Sequence, residues 1–263
     1  MLTAITRAVS PAINQCELGH LPRQPIDVSR ASLQHQQYEV CLRELGVSVI
    51  SLAAEAELPD SNFVEDPAVV VAEVAVMTRM GAESRRRESE SLACALAPFR
   101  ALRWMQEPAT LEGGDVLRVG STLYVGLSAR TNAAGIDQLA EELRPFGYSV
   151  QPVVVRGCLH LKSACCAVGD RTILINRQWV DPSAYAGFEI VDVPPEEPRG
   201  ANVLAIGDTM LVPDCFPGIA GILDRRGWKV RTLDISELMK AEGGLTCSSI
   251  LLETDEPIPV SNV

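Results

Sequence analysis

Four times along this 263-residue chain, two short apolar runs flank a two-residue turn. The runs are 69–71 and 74–77 around Ala72-Glu73, 116–119 and 122–125 around Gly120-Ser121, 165–168 and 171–175 around Gly169-Asp170, and 203–206 and 209–212 around Gly207-Asp208. Runs of this length around Gly-Asp or Gly-Ser predict β-hairpins, because glycine supplies the positive φ that a tight turn needs. Ala72-Glu73 is the weakest of the four turns. A helical period follows each hairpin. It is clearest over 131–146, where Ala133, Ile136, Leu139, Ala140 and Leu143 share a face and Gly147 stops the helix. Leu92, Leu96 and Phe99 mark 84–99, and Ile219, Ile222 and Leu223 mark 217–226. The stretch 178–187 is short and broken by Pro182, so only a turn or two is predicted there. A further strand closes each unit, at 101–104, 149–155, 189–193 and 229–233.

The two ends of the chain hold the parts of a fifth unit. One strand is predicted at 247–252 and another at 2–6, followed by a helix over 29–45 and a strand at 47–52. Ala4-Ile5-Thr6-Arg7 also echoes Val76-Met77-Thr78-Arg79. The pattern therefore predicts an α/β fold of five ββαβ-type units arranged as a ring that the two termini close. A ring of modules leaves no open end between first and last. The whole of 1–263 reads as a single domain, with the Pro-rich 194–200 as a loop and the tail from about 254 flexible.

Composition narrows the function. A formal net charge of −11 argues against nucleic acid as partner and is compatible with a small cationic molecule. The best apolar run, 68–80, is interrupted by Glu73 and Arg79 and is too short to span a membrane. Eight cysteines without a C-x-x-C pair, only three histidines and no recognisable export signal predict reduced thiols in a cytoplasmic protein and no structural zinc site.

In a ring, the junctions that lead from one unit to the next occupy equivalent places and converge on one axis. They carry Asp60, Glu65 and Asp66, then Glu112 and Asp115, then His160, then Asn202, then Cys247. Cys247 follows Gly243-Gly244 and is the candidate nucleophile. His160 is the only histidine in a junction and suits general acid-base work, with Glu112 orienting its ring. Asp60, Glu65 and Asp66 suit a planar cation such as a guanidinium, which pairs with carboxylate through two hydrogen bonds. Arg85 and Arg130 follow second strands and could grip a substrate carboxylate. His20 and His35 read as structural or solvated, and Arg86 and Arg87 as a solvated helix face.

Five stretches together, 58–66, 109–117, 125–132, 157–163 and 243–249, resemble the dimethylarginine dimethylaminohydrolases of the pentein, or amidinotransferase-like, superfamily. The resemblance implies a five-bladed αβ-propeller and hydrolysis of Nω-methylated arginines to citrulline and dimethylamine or methylamine, with no metal or organic cofactor. It implies Cys247, His160 and Glu112 as catalytic residues and Leu18, Asp60, Glu65, Asp66, Arg85, Arg130 and Ala241 as substrate-binding ones. The partner is then a methylated arginine, with no nucleic acid and no membrane; a homodimer stays open. The alternatives are an arginine deiminase or amidinotransferase of the same superfamily, or a non-catalytic methylarginine-binding protein. Arginine deiminases carry Asp two residues after the catalytic histidine. Lys162 stands there in this chain and counts against free arginine.

Overall fold

Alternation along a strand sets the architecture. In β1 (Leu2–Arg7), Ala4 packs into one apolar cluster and the next residue, Ile5, into another. Successive strand side chains point to opposite faces, so a strand buried on both faces reads as an unbroken apolar run. The computed structural model describes residues 1–254. In chain order the elements after β1 are α1 (Val28–Glu44), β2 (Ser48–Leu52), β3 (Ala68–Val70), β4 (Val74–Met77), α2 (Glu88–Leu96), β5 (Ala101–Trp104), β6 (Val116–Val119), β7 (Thr122–Leu127), α3 (Ala133–Leu143), β8 (Ser149–Val154), α4 (Leu161–Ala164), β9 (Cys165–Val168), β10 (Thr172–Ile175), β11 (Glu189–Asp192), β12 (Leu204–Ile206), β13 (Thr209–Pro213), α5 (Pro217–Arg225), β14 (Lys229–Leu233), α6 (Ser236–Met239) and β15 (Ile250–Glu253).

These strands make five three-stranded sheets, ordered β3-β4-β5, β6-β7-β8, β9-β10-β11, β12-β13-β14 and β15-β1-β2. In each, the first strand runs antiparallel to the middle one and the third runs parallel to it. The last sheet joins the two ends of the chain, with Leu2 opposite Glu253 and Ile5 opposite Ile250.

The apolar clusters show how the sheets are joined. One contains Ile5 and Ile250 with Ala75 and Met77. The next pairs Val74 and Val76 with Val116 and Val125. Leu117 and Tyr124 then meet Cys165 and Ile173, Cys166 and Leu174 meet Val203 and Met210, and Leu204 and Leu211 meet Ala4 and Leu42. Each sheet shares a core with the next, and the last shares one with the first. The result is a closed ring, the five-bladed αβ-propeller. The innermost strands, β15, β3, β6, β9 and β12, line a common channel of about 540 Å³.

The predicted units correspond closely to the blades. Gly120, Gly169 and Gly207 have φ of +59°, +69° and +58° in their hairpin turns. The 178–187 stretch forms only a 3-10 turn, Pro182–Tyr185. Two features differ. The strand expected to start at Cys247 starts at Ile250, because Thr246–Ser248 winds into a 3-10 turn. The short helices α4 and α6 are too brief to leave a period in the sequence. His35, read as structural or solvated, takes the structural place: it is buried on α1 near Glu39. The expected flexible tail lies outside the described residues apart from its first position.

Candidate active site

The site is assembled from the loops that enter the inner strands. Cys247 sits in the turn just before β15, His160 just before α4, Glu112 just before β6, and Asp60 and Asp66 in the loop before β3. Together with Glu17, Phe63, Arg85, Arg130, Leu159, Ala241, Glu242 and Gly243, four of these side chains, Cys247, His160, Asp60 and Asp66, line one pocket. Glu112 lies behind it, fully buried, under the imidazole.

Close approach, more than turn geometry, explains the paired glycines. A Cβ on Gly114 would stand 2.6 Å from His160 Nδ1 and 2.7 Å from Asp66 Oδ1. One on Gly244 would stand 2.4 Å from Asn202 Oδ1. The left-handed residue of the Cys247 turn is instead Glu242, with φ +58°. Gly114→Ala should therefore push the imidazole and the Asp66 carboxylate apart. A displacement of that order costs about a hundredfold in kcat; a kcat within a few fold of wild type would show that the cradle is slack.

The imidazole is held from both sides. His160 Nε2 lies 2.7 Å from Glu112 Oε2, and Nδ1 lies 4.0 Å from Asp66 Oδ1. Glu112 also accepts from the Ala82 N–H and from Arg130 Nη1, each at 3.2 Å. Burial opposes the imidazolium, but Asp66, the hydrogen bond to Glu112 and Asp115 outweigh it and raise His160 to about 9. Burial likewise opposes the Glu112 charge, yet His160 first, with Arg85 and Arg130, holds that carboxyl well below the usual range. Asp115, a junction residue, has a structural part of its own. It is fully buried and accepts from the Leu161 N–H at 2.9 Å, Ser128 Oγ at 2.6 Å and Thr131 Oγ1 at 2.7 Å. It thereby ties the peptide after His160 to the loop that carries Arg130. An aspartate inside an apolar-flanked turn gives no sequence signal for such a role.

Burial, then Glu65 and Asp66, push the Cys247 thiol up to about 12; a backbone contact with Gly244 and the charge of Lys162 pull the other way. The turn is braced by Tyr38 of α1, whose hydroxyl meets Ser249 Oγ at 2.6 Å. Asp66 accepts from Arg85 Nη1 at 2.8 Å and from the Gly114 N–H at 2.9 Å. Oxygen or nitrogen atoms of Asp66, Glu112 and His160 lie within 4.8 Å of one another, a set of donors that could hold a metal ion. In this arrangement Arg85 and Arg130 already supply the positive charge next to both carboxylates.

Two expected substrate contacts fall elsewhere. Adjacent residues divide two cavities: Asp66 lines the pocket, while Glu65 lines the channel. The Glu65 carboxylate pairs with Lys162 and accepts from Thr246 Oγ1, and its N–H donates to the Cys247 carbonyl at 3.3 Å. Leu18 packs against the cluster containing Phe63 and Ala241 and does not line the pocket. Its loop nevertheless closes over the site. Glu242 accepts from the N–H groups of Gly19 and His20 at 2.7 Å and of Leu21 at 2.6 Å, and Asp60 accepts from the Glu17 N–H at 3.0 Å. With the loop so held the pocket keeps about 10 Å³ of free volume, room for roughly one water.

The chain as a whole is similar to known proteins. The chain is 38% identical over 252 residues to the N(G),N(G)-dimethylarginine dimethylaminohydrolase of Streptomyces coelicolor, covering 95% of this chain and 96% of that one. The chain belongs to the dimethylarginine dimethylaminohydrolase family. It is also 33% identical over 226 residues to the family member of Pseudomonas aeruginosa, covering 85% and 89% of the two chains. A solved structure of that dimethylarginine dimethylaminohydrolase, a cysteine-to-serine variant complexed with citrulline, superposes with a TM-score of 0.90 at 30% identity, covering 95% of this chain and 98% of that one. A histidine-to-glycine dimethylarginine dimethylaminohydrolase that forms an adduct with S-methyl-L-thiocitrulline gives the same TM-score at 31% identity, covering 95% and 99%. The arginine deiminase family model matches residues 54–181, the span from the first junction to the third blade.

Proposed function

We propose that this protein hydrolyses Nω-methylated arginines to citrulline and dimethylamine or methylamine through a covalent intermediate on Cys247. The observation that carries the reading is one pocket holding a half-buried thiol, a carboxylate at its wall and an imidazole seated on a second carboxylate. Asp66 and Asp60 bind the guanidinium, and Arg130 faces the amino-acid end. The bound cation offsets the burial and the negative charges that keep the Cys247 thiol protonated, and the thiol proton leaves to solvent. The thiolate adds to the guanidinium carbon. His160, an imidazolium in the free protein, donates its proton to the departing methylated nitrogen as the C–N bond breaks. A thiouronium-type cation remains. Neutral His160 then takes a proton from water as its oxygen adds to the same carbon, and the C–S bond breaks to give citrulline and the sulfur leaving group.

Lys162 separates this reading from arginine deimination. It stands two residues after His160, and its ammonium is spent on Glu65, so no carboxylate is supplied there for the nitrogens of unmethylated arginine. The deciding experiment is a panel of asymmetric dimethylarginine, monomethylarginine and arginine with citrulline and amine detection. Citrulline and dimethylamine in equal amounts are expected from asymmetric dimethylarginine. Ammonia from arginine as the fastest reaction would favour a deiminase, and no turnover of any of them would favour a binding protein.

The thiol gives a separate prediction. With the thiol pushed up to about 12, Cys247 should show no thiolate absorbance at neutral pH in the free protein. The thiolate band should grow only when a guanidinium ligand occupies the pocket. A full thiolate signal without ligand at neutral pH would contradict the substrate-assisted step.

A further inference from the structure

Glu88 is a buried carboxylate that the chemistry above does not use. It opens α2 and is only 3% exposed. Both of its oxygens are taken by one guanidinium: Arg85 Nε donates to Oε1 at 3.0 Å and Arg85 Nη2 to Oε2 at 2.8 Å. The same group donates through Nη1 to Asp66 Oδ2 at 2.8 Å and reaches the Asp60 carbonyl through Nη2 at 3.5 Å. A guanidinium carries five N–H donors in one plane. Four are placed by these contacts, and the remaining one is on Nη1. Asp66 in turn spends its other oxygen on the Gly114 N–H, next to His160.

This geometry has a competitive side. Arg85 bears the same group as an arginine-derived substrate and lines the same pocket. After Glu88, Asp66 and Asp60 are the acids that act on Arg85, and both line the pocket. A guanidinium on a long stem, left without an anchor, would swing onto those acids and occupy them. The fork from Glu88 fixes its plane and its distance, since two parallel hydrogen bonds admit one orientation.

We propose that Glu88 is a positioning residue: by taking two edges of the Arg85 guanidinium it limits Arg85 to a single hydrogen bond with Asp66, so that the remaining acceptor sites of Asp66 and the Asp60 carboxylate stay available to a substrate guanidinium. This rests on the methylarginine reading. Glu88 touches no substrate and acts through Arg85 alone.

The test is a double-mutant cycle on the full chain with Glu88→Gln, Arg85→Lys and the double variant, measuring kcat and KM for asymmetric dimethylarginine. Turnover by the wild-type protein is established first, because its absence would fail the functional reading whatever the variants do. Glu88→Gln keeps the shape but replaces one acceptor with a donor, and should raise KM about tenfold with kcat changed less than about threefold. Lysine at position 85 cannot receive the fork, so adding Glu88→Gln to Arg85→Lys should change KM by no more than about twofold. An unchanged KM in Glu88→Gln, or additive effects in the double variant, would overturn the proposal. If Glu88→Gln does not fold, Glu88→Asp decides instead. It keeps the charge but shortens the reach, and is expected to raise KM a few fold in the Arg85 protein and not in the Arg85→Lys protein.

Discussion

Cys247→Ser is expected to lower kcat by about a thousandfold or more while citrulline still binds within a few fold of its wild-type affinity. The reason lies in the surroundings of the sulfur. A serine hydroxyl needs a base to become a nucleophile, and this site offers none in the right state. His160 is raised to about 9 and is therefore protonated at neutral pH, with Nε2 committed to Glu112. A thiol can lose its proton to the field of a bound cation; an alcohol cannot at any useful fraction. The substitution also removes little volume, so the pocket keeps its lining. Amine release measures the first effect and calorimetry with citrulline the second. Residual turnover within about tenfold of wild type would mean that the proton logic above is wrong.

Deletion of residues 1–7 is expected to abolish the folded state, although the segment is nowhere near Cys247 in sequence. β1 is the middle strand of its sheet, paired with β15 on one side and β2 on the other. Thr3, Ala4, Ile5, Thr6 and Arg7 are all buried. Losing two ladders and the side chains that enter two clusters costs more than the roughly 5–15 kcal/mol that holds a typical domain together. Circular dichroism and thermal melting of the truncated chain should show no cooperative transition. Ile5→Ala is the milder counterpart. It leaves the ladders intact and should cost about 2–5 kcal/mol, read as a lowered melting temperature with the site still active. A truncated chain that melts like the full one would mean that the ring closes without its terminal blade.

The blades are legible in the sequence because the middle strand of each sheet is buried on both faces and three of the four hairpin turns carry a glycine. Runs such as Val203 to Ile206 carry no polar interruption, and Gly207-Asp208 sets the reversal. That Cys247, His160 and Asp66 share a pocket is legible too, since equivalent junctions of a ring meet at its axis. What could not be read is which way neighbouring side chains turn. Glu65 and Asp66 are the same kind of residue one position apart, yet one faces the channel and the other the pocket. Arg85 looked like a free grip for a carboxylate because its partner Glu88 stands only three residues on, where an exposed helical pair is the ordinary outcome. Glu242 gave no sign because a left-handed glutamate leaves no mark on composition. Its cost of about 1–2 kcal/mol is offset by the three N–H groups its carboxylate receives.

The 16–21 loop that closes over the site has a kinetic consequence. Its N–H groups are held by Asp60 and Glu242 of the pocket lining, so traffic past it requires those hydrogen bonds to open. The liberated amine and the incoming water pass it in turn. A reaction run this way is ping-pong, with the first product gone before the second reactant is seated. Any small nucleophile admitted past the same loop during that interval would be diverted onto the thiouronium carbon in place of water.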